Sequence, residues 1–177
     1  MTDISKQLVE QVNDAIAQQA PLNIVGGNTK SFIGRAASGD NIDVTSHSGV
    51  ISYEPVELVM VARAGTTLSE IDATLSKHNQ MLACESPTFD GVATIGGTLA
   101  CNLSGPSRPW VGSIRDMVLG VNLINGKGEY LRFGGKVMEN VAGYDVSRAQ
   151  AGAMGTLGLM TEISFKVVPK PQVSMTI

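Results

Sequence analysis

The N-terminal residues place apolar side chains at the period of an α-helix. Apolar residues recur every three or four positions, at Ile4, Leu8, Val12, Ala15 and Ile16. The positions between them are mostly Gln, Asn, Asp and Glu, so one face is apolar and the others are polar. This pattern predicts an amphipathic helix over residues 2–19, which Pro21 would end.

Short apolar runs and one capping pattern organise the chain up to residue 80. Runs at residues 22–25, 41–45 and 58–63 predict strands. Thr67 and Glu70 have the spacing of a capping box, which predicts a helix from residue 68 to about Asn79. The order of helix, strands and helix predicts a small mixed α/β lobe over about residues 1–80.

Strand-like runs dominate after residue 81. They cover residues 116–124, 130–133 and 159–168, and Asn-Gly-Lys-Gly at residues 125–128 predicts a hairpin between the first two. Residues 98–103 predict one or two helical turns. The whole pattern predicts an α+β fold of two lobes, in which a mostly antiparallel sheet with flanking helices follows the small lobe. The domain is expected over residues 1–171, with its second lobe over about 81–171, and residues 172–177 are expected to begin a following segment or to end the chain.

Charge and composition narrow the classes of function. The formal net charge is −3 with no basic stripe, which argues against nucleic acid and anionic membranes as partners. No apolar run approaches the roughly 18 residues of a membrane span, and no secretory signal is recognisable, so we expect a cytoplasmic protein without a transmembrane segment. Cys84 and Cys101 have no metal-ligand spacing with His47 or His78, so reduced thiols, solvated histidines and no metal site are expected.

Glycine accounts for 20 residues, which gather into three stretches. Residues 26–30 have two interpretations: a loop whose successive N–H groups surround an anion, or an ordinary glycine turn without a ligand. In residues 93–106 and 112–116 small and polar residues replace core hydrophobics, which suits either a groove for a large polar ligand or a pair of loops between core elements. Residues 143–145 and 152–162 bring three glycines at three-residue spacing into a long strand, which indicates either a ligand close to the backbone or a β-bulge.

Five motifs then occur in one order along the chain: GGNTK, ATIGGTLACNLSGP, GSIRDMVLG, GYD and GAMGTLGLMTE. This series, over about residues 21–171, resembles the FAD-binding domain of the vanillyl-alcohol oxidase / p-cresol methylhydroxylase flavoprotein family. Within that family, the segments GPSRPW, NGKG and RFGG resemble the FAD-binding subunits of glycolate oxidases, those of the subunit-E type.

The resemblance implies FAD as cofactor and assigns a set of residues to it. The FAD diphosphate is expected at Gly26, Gly27, Asn28, Thr29 and Lys30. The rest of the cofactor is expected along Thr94, Ile95, Gly96, Gly97, Asn102, Gly105, Gly112, Arg115, Asp116, Gly158, Thr161 and Ile163. Covalent relatives commonly carry His where this chain has Asn28, so non-covalent FAD is expected.

The resemblance also implies an activity and partners. It implies the FAD-binding part of a 2-hydroxy-acid oxidoreductase that oxidises glycolate to glyoxylate and passes electrons through FAD to an iron–sulfur partner. The expected partners are a second flavin subunit and an iron–sulfur subunit, which would place the chain at the inner face of the cytoplasmic membrane. The catalytic residues are unknown, because relatives supply them largely from a substrate domain. Two alternatives stay open: the FAD domain of another flavoenzyme, such as a D-lactate dehydrogenase or a molybdenum hydroxylase, and a flavin-binding assembly subunit without chemistry.

Overall fold

A computed structural model describes residues 2–136, 143–173 and 175. The chain begins with the expected amphipathic helix, α1 (Ser5–Gln18). Gln19 ends it in the left-handed conformation and donates its N–H to the last turn, so Pro21 follows the end of the helix and does not break it. Of the expected following segment, residues 174, 176 and 177 lie outside the described residues.

The first half continues with short strands and one more helix. They are β1 (Leu22–Val25), β2 (Asp40–Asp43), β3 (Val50–Glu54), β4 (Val59–Arg63), α2 (Leu68–Ser76) and β5 (Gln80–Met81). The oxygen Oγ1 of Thr67 accepts the Glu70 N–H at 3.1 Å, which confirms the predicted start of α2. β3 was not among the predicted strands. It pairs with β4 in antiparallel orientation.

The second half supplies short helices and the long strands. They are α3 (Ile95–Cys101), α4 (Arg108–Val111), α5 (Ile114–Met117), β6 (Val118–Ile124), β7 (Tyr130–Gly134), α6 (Val146–Ala149), β8 (Leu159–Lys166) and β9 (Val168–Pro169). α3 begins before the predicted helical turns because Thr94 caps it. β6 begins two residues after the predicted position because Ser113 and Asp116 close a helical turn first.

Three sheets organise these elements. β3, β4, β8, β6 and β7 lie side by side in that order in one antiparallel five-stranded sheet, so strands from both halves of the chain share it. β1 and β2 form a separate parallel pair, and β5 pairs with β9. The prediction of a mixed fold with a mostly antiparallel sheet is confirmed, whereas the boundary between lobes at residue 80 stays a prediction.

Two apolar clusters hold the fold together. The main cluster lies between one face of the large sheet and the helices α2 and α3, with Ile71, Leu99 and Phe165 at its centre. The second joins α1 to the β1–β2 pair and to the end of the large sheet through Leu8 and Ile124. Each such side chain contributes about 1.5–3 kcal/mol when it is fully buried. Among the described helices, none is both long and apolar enough for a membrane span.

His47 corrects one expectation from the sequence. It was expected in solvent, but its side chain is fully buried beside the N-terminal segment. Its Nδ1 accepts the backbone N–H of Ile4 at 3.2 Å, and the carboxylate of Asp3 lies 3.8 Å from the same atom. A Ser/Gly-rich neighbourhood in the sequence did not indicate this burial, because the partner lies more than 40 residues away.

Candidate cofactor-binding slot

The first glycine stretch packs directly against the second. A β-carbon on Gly27 would overlap the carbonyl oxygen of Val92, and one on Gly26 would lie 2.8 Å from Thr94 Oγ1. No side chain fits at either position without moving backbone or the capping threonine. The two glycines are therefore required by the close approach of two chain segments. We call the surface beside this junction, bordered by residues 26–32, Phe89, Gly97, Asn102 and Gly152, the slot.

The loop after β1 presents free backbone donors. None of the amides of residues 26 to 32 donates a hydrogen bond to another described residue. Asn28 adopts a left-handed conformation, with φ 51°, which turns the loop sharply. Successive amides around such a turn form a concave site for an anion.

Lys30 places a buried cation beside this loop. Its side chain is only 8% exposed, and its Nζ donates to Thr29 Oγ1 at 3.2 Å. Nζ also lies 5.1 Å from the centre of the Phe89 ring, and none of the ion pairs among the described residues includes it. Burial lowers the pKa of Lys30, and the nearby Cys101 thiol opposes that shift. A buried ammonium group without a carboxylate partner favours an anionic ligand at this position.

The paired glycines of α3 face in different directions. A β-carbon on Gly96 would lie 2.8 Å from both the Cβ and the carbonyl oxygen of Ala64, so this residue faces the protein. A β-carbon on Gly97 would meet only Thr94 Oγ1, at 3.2 Å, within 4 Å. Gly97 thus faces the space beside the first loop.

The backbone amides at the start of α3 differ from the sequence expectation. They were expected to meet a ligand, but each has an acceptor inside the protein. Ile95 donates to Thr66 O at 2.9 Å, Gly96 to Ala64 O at 2.9 Å and Gly97 to Thr94 Oγ1 at 3.2 Å. The side chain of Ile95 lies in the main cluster. Of this segment, the half-buried Gly97, whose α-carbon faces open space, is what remains for a ligand.

The third glycine stretch packs against the last turn of α3 and against β1. The amides of Gly152 and Met154 donate to the last turn of α3, to Leu99 O at 3.1 Å and Ala100 O at 3.0 Å. A β-carbon on Gly155 would lie 2.8 Å from Ile24 Cδ1 in β1. The structure therefore brings all three glycine stretches together around α3 and the end of β1.

Asn102 supplies a polar group at this junction. It ends α3 in a left-handed conformation, with φ 49°, and its β-carbon lies next to the place where a β-carbon on Gly152 would be. Its side-chain oxygen Oδ1 is buried and has no hydrogen-bond partner among the described residues. Because a buried acceptor without a donor is costly, this atom points to a ligand or water that donates to it.

Other predicted residues belong to self-contained local structures. The Asp116 carboxylate accepts from the N–H and the hydroxyl of Ser113, at 2.8 and 2.9 Å, and these bonds lower its pKa. Gly112, with φ 83°, packs against that carboxylate, and the Arg115 side chain is half exposed at 3.7 Å from it. Gly105 packs against the backbone of Glu85. Capping and turn geometry account for these residues without a ligand.

Thr161 and Ile163 lie inside the large sheet, on the strand that packs against α3. Both lie in β8, the central strand of the sheet, whose two edges pair with β4 and β6. Thr161 is the extra residue of a bulge opposite β6 and donates its hydroxyl to Asn122 O at 3.1 Å, and Ile163 is buried in the main cluster. Gly158 precedes this strand with φ 144° and packs against Ile124 O.

Sequence reasoning missed two aromatic residues of the slot. Phe89 lies under Lys30, and Phe32 meets its ring edge-on with 6.1 Å between centroids. Neither belongs to a periodic apolar pattern or to one of the glycine motifs, so the sequence carried no signal for them. Gly152 and Gly155 did carry one, the three-residue spacing of glycines before the long strand, although the family motifs did not assign them to the cofactor.

Comparison with known proteins agrees with the sequence resemblance. The family described as FAD binding domain matches residues 4–134. The chain is 53% identical over 175 residues to "Glycolate oxidase subunit GlcE" of Escherichia coli (strain K12), which covers 99% of this chain and 50% of that protein. It is 40% identical over 129 residues to "Glycolate oxidase subunit GlcD" of Bacillus subtilis (strain 168), with 72% and 27% covered.

A more distant relative carries a different activity in its name. The "D-lactate dehydrogenase" of Anaerostipes hadrus is 28% identical over 155 residues, which covers 86% of this chain and 32% of that protein. The chain spans about half the length of the GlcE relative and a smaller share of the other two.

Proposed function

The chain belongs to the FAD-binding domain family, and from this premise we propose that it is the FAD-binding part of a glycolate oxidase of the GlcE type. Its cofactor is FAD. The activity proposed for the whole protein is the oxidation of glycolate, or a closely related 2-hydroxy acid, with electrons passed on to an iron–sulfur partner. The observation that carries the proposal is the convergence of three glycine stretches beside a buried lysine that lacks a carboxylate partner.

The slot fits the diphosphate of FAD. The free amides of residues 26–32 and the ammonium group of Lys30 offer donors and positive charge, which are the groups that bind phosphate oxygens. Hydrogen bonds to charged groups contribute about 1.5–3 kcal/mol each, so a few of them support tight binding. These residues are proposed as the diphosphate site.

The remainder of the slot fits the uncharged parts of the cofactor. The open face of Gly97 leaves room where a side chain would otherwise stand, and Gly152 brings the third glycine stretch next to Asn102. The unpartnered Oδ1 of Asn102 is an acceptor suited to a hydroxyl or amide N–H group of the ligand. Because the position after the paired glycines is Asn28, binding is proposed to be non-covalent.

The role proposed for this chain in the reaction is to bind and orient the cofactor. When bound, FAD supplies the acceptor for a hydride from the carbon that carries the substrate hydroxyl group. The chain's own residues hold the diphosphate. The base and the groups that bind the substrate carboxylate are proposed to come from outside residues 2–173, since the GlcE relative is about twice as long as this chain.

The names of the relatives support a second glycolate oxidase subunit as partner, and the sequence resemblance supports an iron–sulfur subunit at the membrane. GlcE and GlcD are both named as glycolate oxidase subunits. We therefore propose that the chain works beside a second flavin subunit and an iron–sulfur subunit, and that these partners hold it at the inner face of the cytoplasmic membrane. Co-purification of tagged chain from its native cells would recover both subunits if this is correct.

The first experiment titrates the purified chain with FAD and measures the dissociation constant from flavin fluorescence. Lys30→Gln is expected to weaken binding roughly 10- to 100-fold, which corresponds to one lost charge-assisted hydrogen bond. Lys127→Gln removes the same charge from the exposed hairpin and is expected to leave binding unchanged. Absence of FAD binding by the unmodified chain would refute the cofactor site.

The second experiment distinguishes the activities in the assembled complex. Glycolate is expected to reduce the flavin and bleach its visible absorbance, more efficiently than D-lactate at equal concentration. Faster reduction by D-lactate would favour a D-lactate dehydrogenase. Flavin that stays oxidised with both acids and with electron donors would favour an assembly subunit without chemistry.

A further inference from the structure

Lys30 is held by an aromatic ring where a carboxylate would be the usual partner. Its Nζ lies 5.1 Å from the ring centre of Phe89, within the range of a cation–π contact. Phe32 packs edge-on against the same ring, with an interplanar angle of 64°. The lysine is thus held against one ring, and the second ring, which is 72% exposed, contacts the first edge-on.

The backbone of Phe89 is unusual for an aromatic residue. Its φ is 45°, in the left-handed region that bulky side chains rarely adopt, and Asp90 follows with φ 58°. The turn is closed by the Gly91 N–H to Thr88 O at 3.1 Å and by the Ala93 N–H to Thr88 O at 3.1 Å. Such a conformation costs free energy and persists where the surroundings enforce it, which is a feature of ligand sites.

An aromatic partner has a consequence that a carboxylate would not have. A carboxylate beside Lys30 would neutralise its charge and compete with an anionic ligand for the same N–H donors. A ring face attracts the cation but takes no hydrogen bond of normal strength from it, so the donors stay available. It also restricts a side chain that otherwise has several rotamers, and that restriction reduces the entropy lost on binding.

We propose that Phe89 is a positioning residue for the FAD diphosphate and acts by holding the Lys30 ammonium group over its ring, aimed into the slot. This inference rests on the proposed function, since it assigns the lysine to the cofactor diphosphate. Phe89 itself need not touch the diphosphate. Phe32 contacts the ring of Phe89, whereas the cation–π contact of Lys30 is with Phe89.

The test is a double-mutant cycle on FAD binding in the full chain. Phe89→Leu keeps an apolar side chain of similar size but removes the ring face, and a contact of this kind changes an equilibrium roughly 3- to 10-fold. We expect Phe89→Leu to weaken FAD binding by that factor in the unmodified chain and to have no effect in a Lys30→Gln chain. Phe89→Tyr retains the ring face and is expected to restore affinity to within twofold, while Phe32→Leu serves as the packing control.

Two further readouts separate positioning from a general structural role. The logarithm of the FAD dissociation constant is expected to depend less steeply on salt concentration in Phe89→Leu, since the lysine charge contributes less. Affinity for riboflavin, which has no phosphate, is expected to be unchanged. Thermal midpoints of all variants confirm that each is folded under the assay conditions.

The outcomes distinguish this inference from the proposed function. If the unmodified chain binds FAD but Phe89→Leu weakens binding equally with and without Lys30, the positioning role is wrong and the proposed function stands. Unchanged or tighter binding by Phe89→Leu overturns it in the same way. If the unmodified chain binds no FAD, the proposed function itself fails first.

Discussion

Gly97→Ala separates ligand binding from folding. The new methyl group would lie 3.2 Å from Thr94 Oγ1 and would meet no other atom within 4 Å, so the threonine needs to move by only a few tenths of an ångström. Alanine in place of glycine inside a helix also stabilises by about 0.5–1 kcal/mol, which offsets that tight contact. The expected change in the free energy of unfolding is therefore within about 1 kcal/mol of zero.

The same methyl group is expected to weaken FAD binding much more than folding. It occupies the face of α3 that borders the slot, and displacing the cofactor there would lengthen its hydrogen bonds. Loss of one charge-assisted bond corresponds to about 1.5–3 kcal/mol, or roughly a 10- to 100-fold rise in the dissociation constant. Gly97→Val, with two more carbons, is expected to abolish binding.

Two other glycines provide controls for this assay. Gly126 has no atom within 4 Å of an added β-carbon and lies in the β6–β7 hairpin, so Gly126→Ala should change neither stability nor FAD affinity. Gly96→Ala would press into Ala64 and should lower stability by about 1–3 kcal/mol. FAD affinity and urea midpoints are measured for all three variants. A Gly97→Ala chain that binds FAD with unchanged affinity would refute the placement of the cofactor against α3.

Three further outcomes are expected from other parts of the fold. Burial lowers the pKa of His47 below its unfolded value of 6.5, although Asp3 opposes the shift. The folded protein is therefore most stable above that pH, and the free energy of unfolding decreases as the pH falls below it, because the unfolded chain binds the proton more tightly. The urea midpoints at pH 7.5 and 5.5 should differ less in His47→Gln than in the unmodified chain. Gly120→Ala should destabilise by about 1–3 kcal/mol, because a β-carbon there would lie 2.7 Å from Gly135 N, and a thermal scan would detect it. Arg115→Ala should change stability and FAD affinity little, within about 0.5 kcal/mol, since this half-exposed side chain makes a long ion pair with the half-exposed Asp116; a larger loss of affinity by titration would assign Arg115 to the cofactor.

Patterns that depend on neighbouring residues were predicted well from the sequence. The period of apolar residues located α1, and Thr67 with Glu70 located the start of α2, because a helix is built from contacts three and four residues apart. α3 was placed late because two adjacent glycines disfavour a helix, and the cap from Thr94 outweighs them. β3 was missed because its pairing with β4 is a tertiary contact.

The glycine stretches indicated a slot but did not assign a role to each glycine. Sequence shows where a side chain is missing and cannot show what occupies the space. Gly27 and Gly96 face the protein's own backbone, whereas Gly97 faces the slot. The motifs did not predict the contact between Phe89 and Lys30, since residues about 60 positions apart meet only in the folded chain.

Some of these glycines pack against backbone and one faces the slot, and this difference explains how a slot of this kind can stay open. Side chains that line a cleft in an apo protein tend to collapse into it, because each gains buried area by doing so. Here the walls meet through glycine against backbone, at Gly27 with Val92 and at Gly96 with Ala64, so few side chains near the junction are long enough to fill the gap. The long side chain that does enter, Lys30, is charged and held on a ring, and it gains little by burying itself deeper without an anion. Substitution at a packing glycine should therefore weaken FAD binding together with stability, whereas substitution at Gly97 should weaken binding alone.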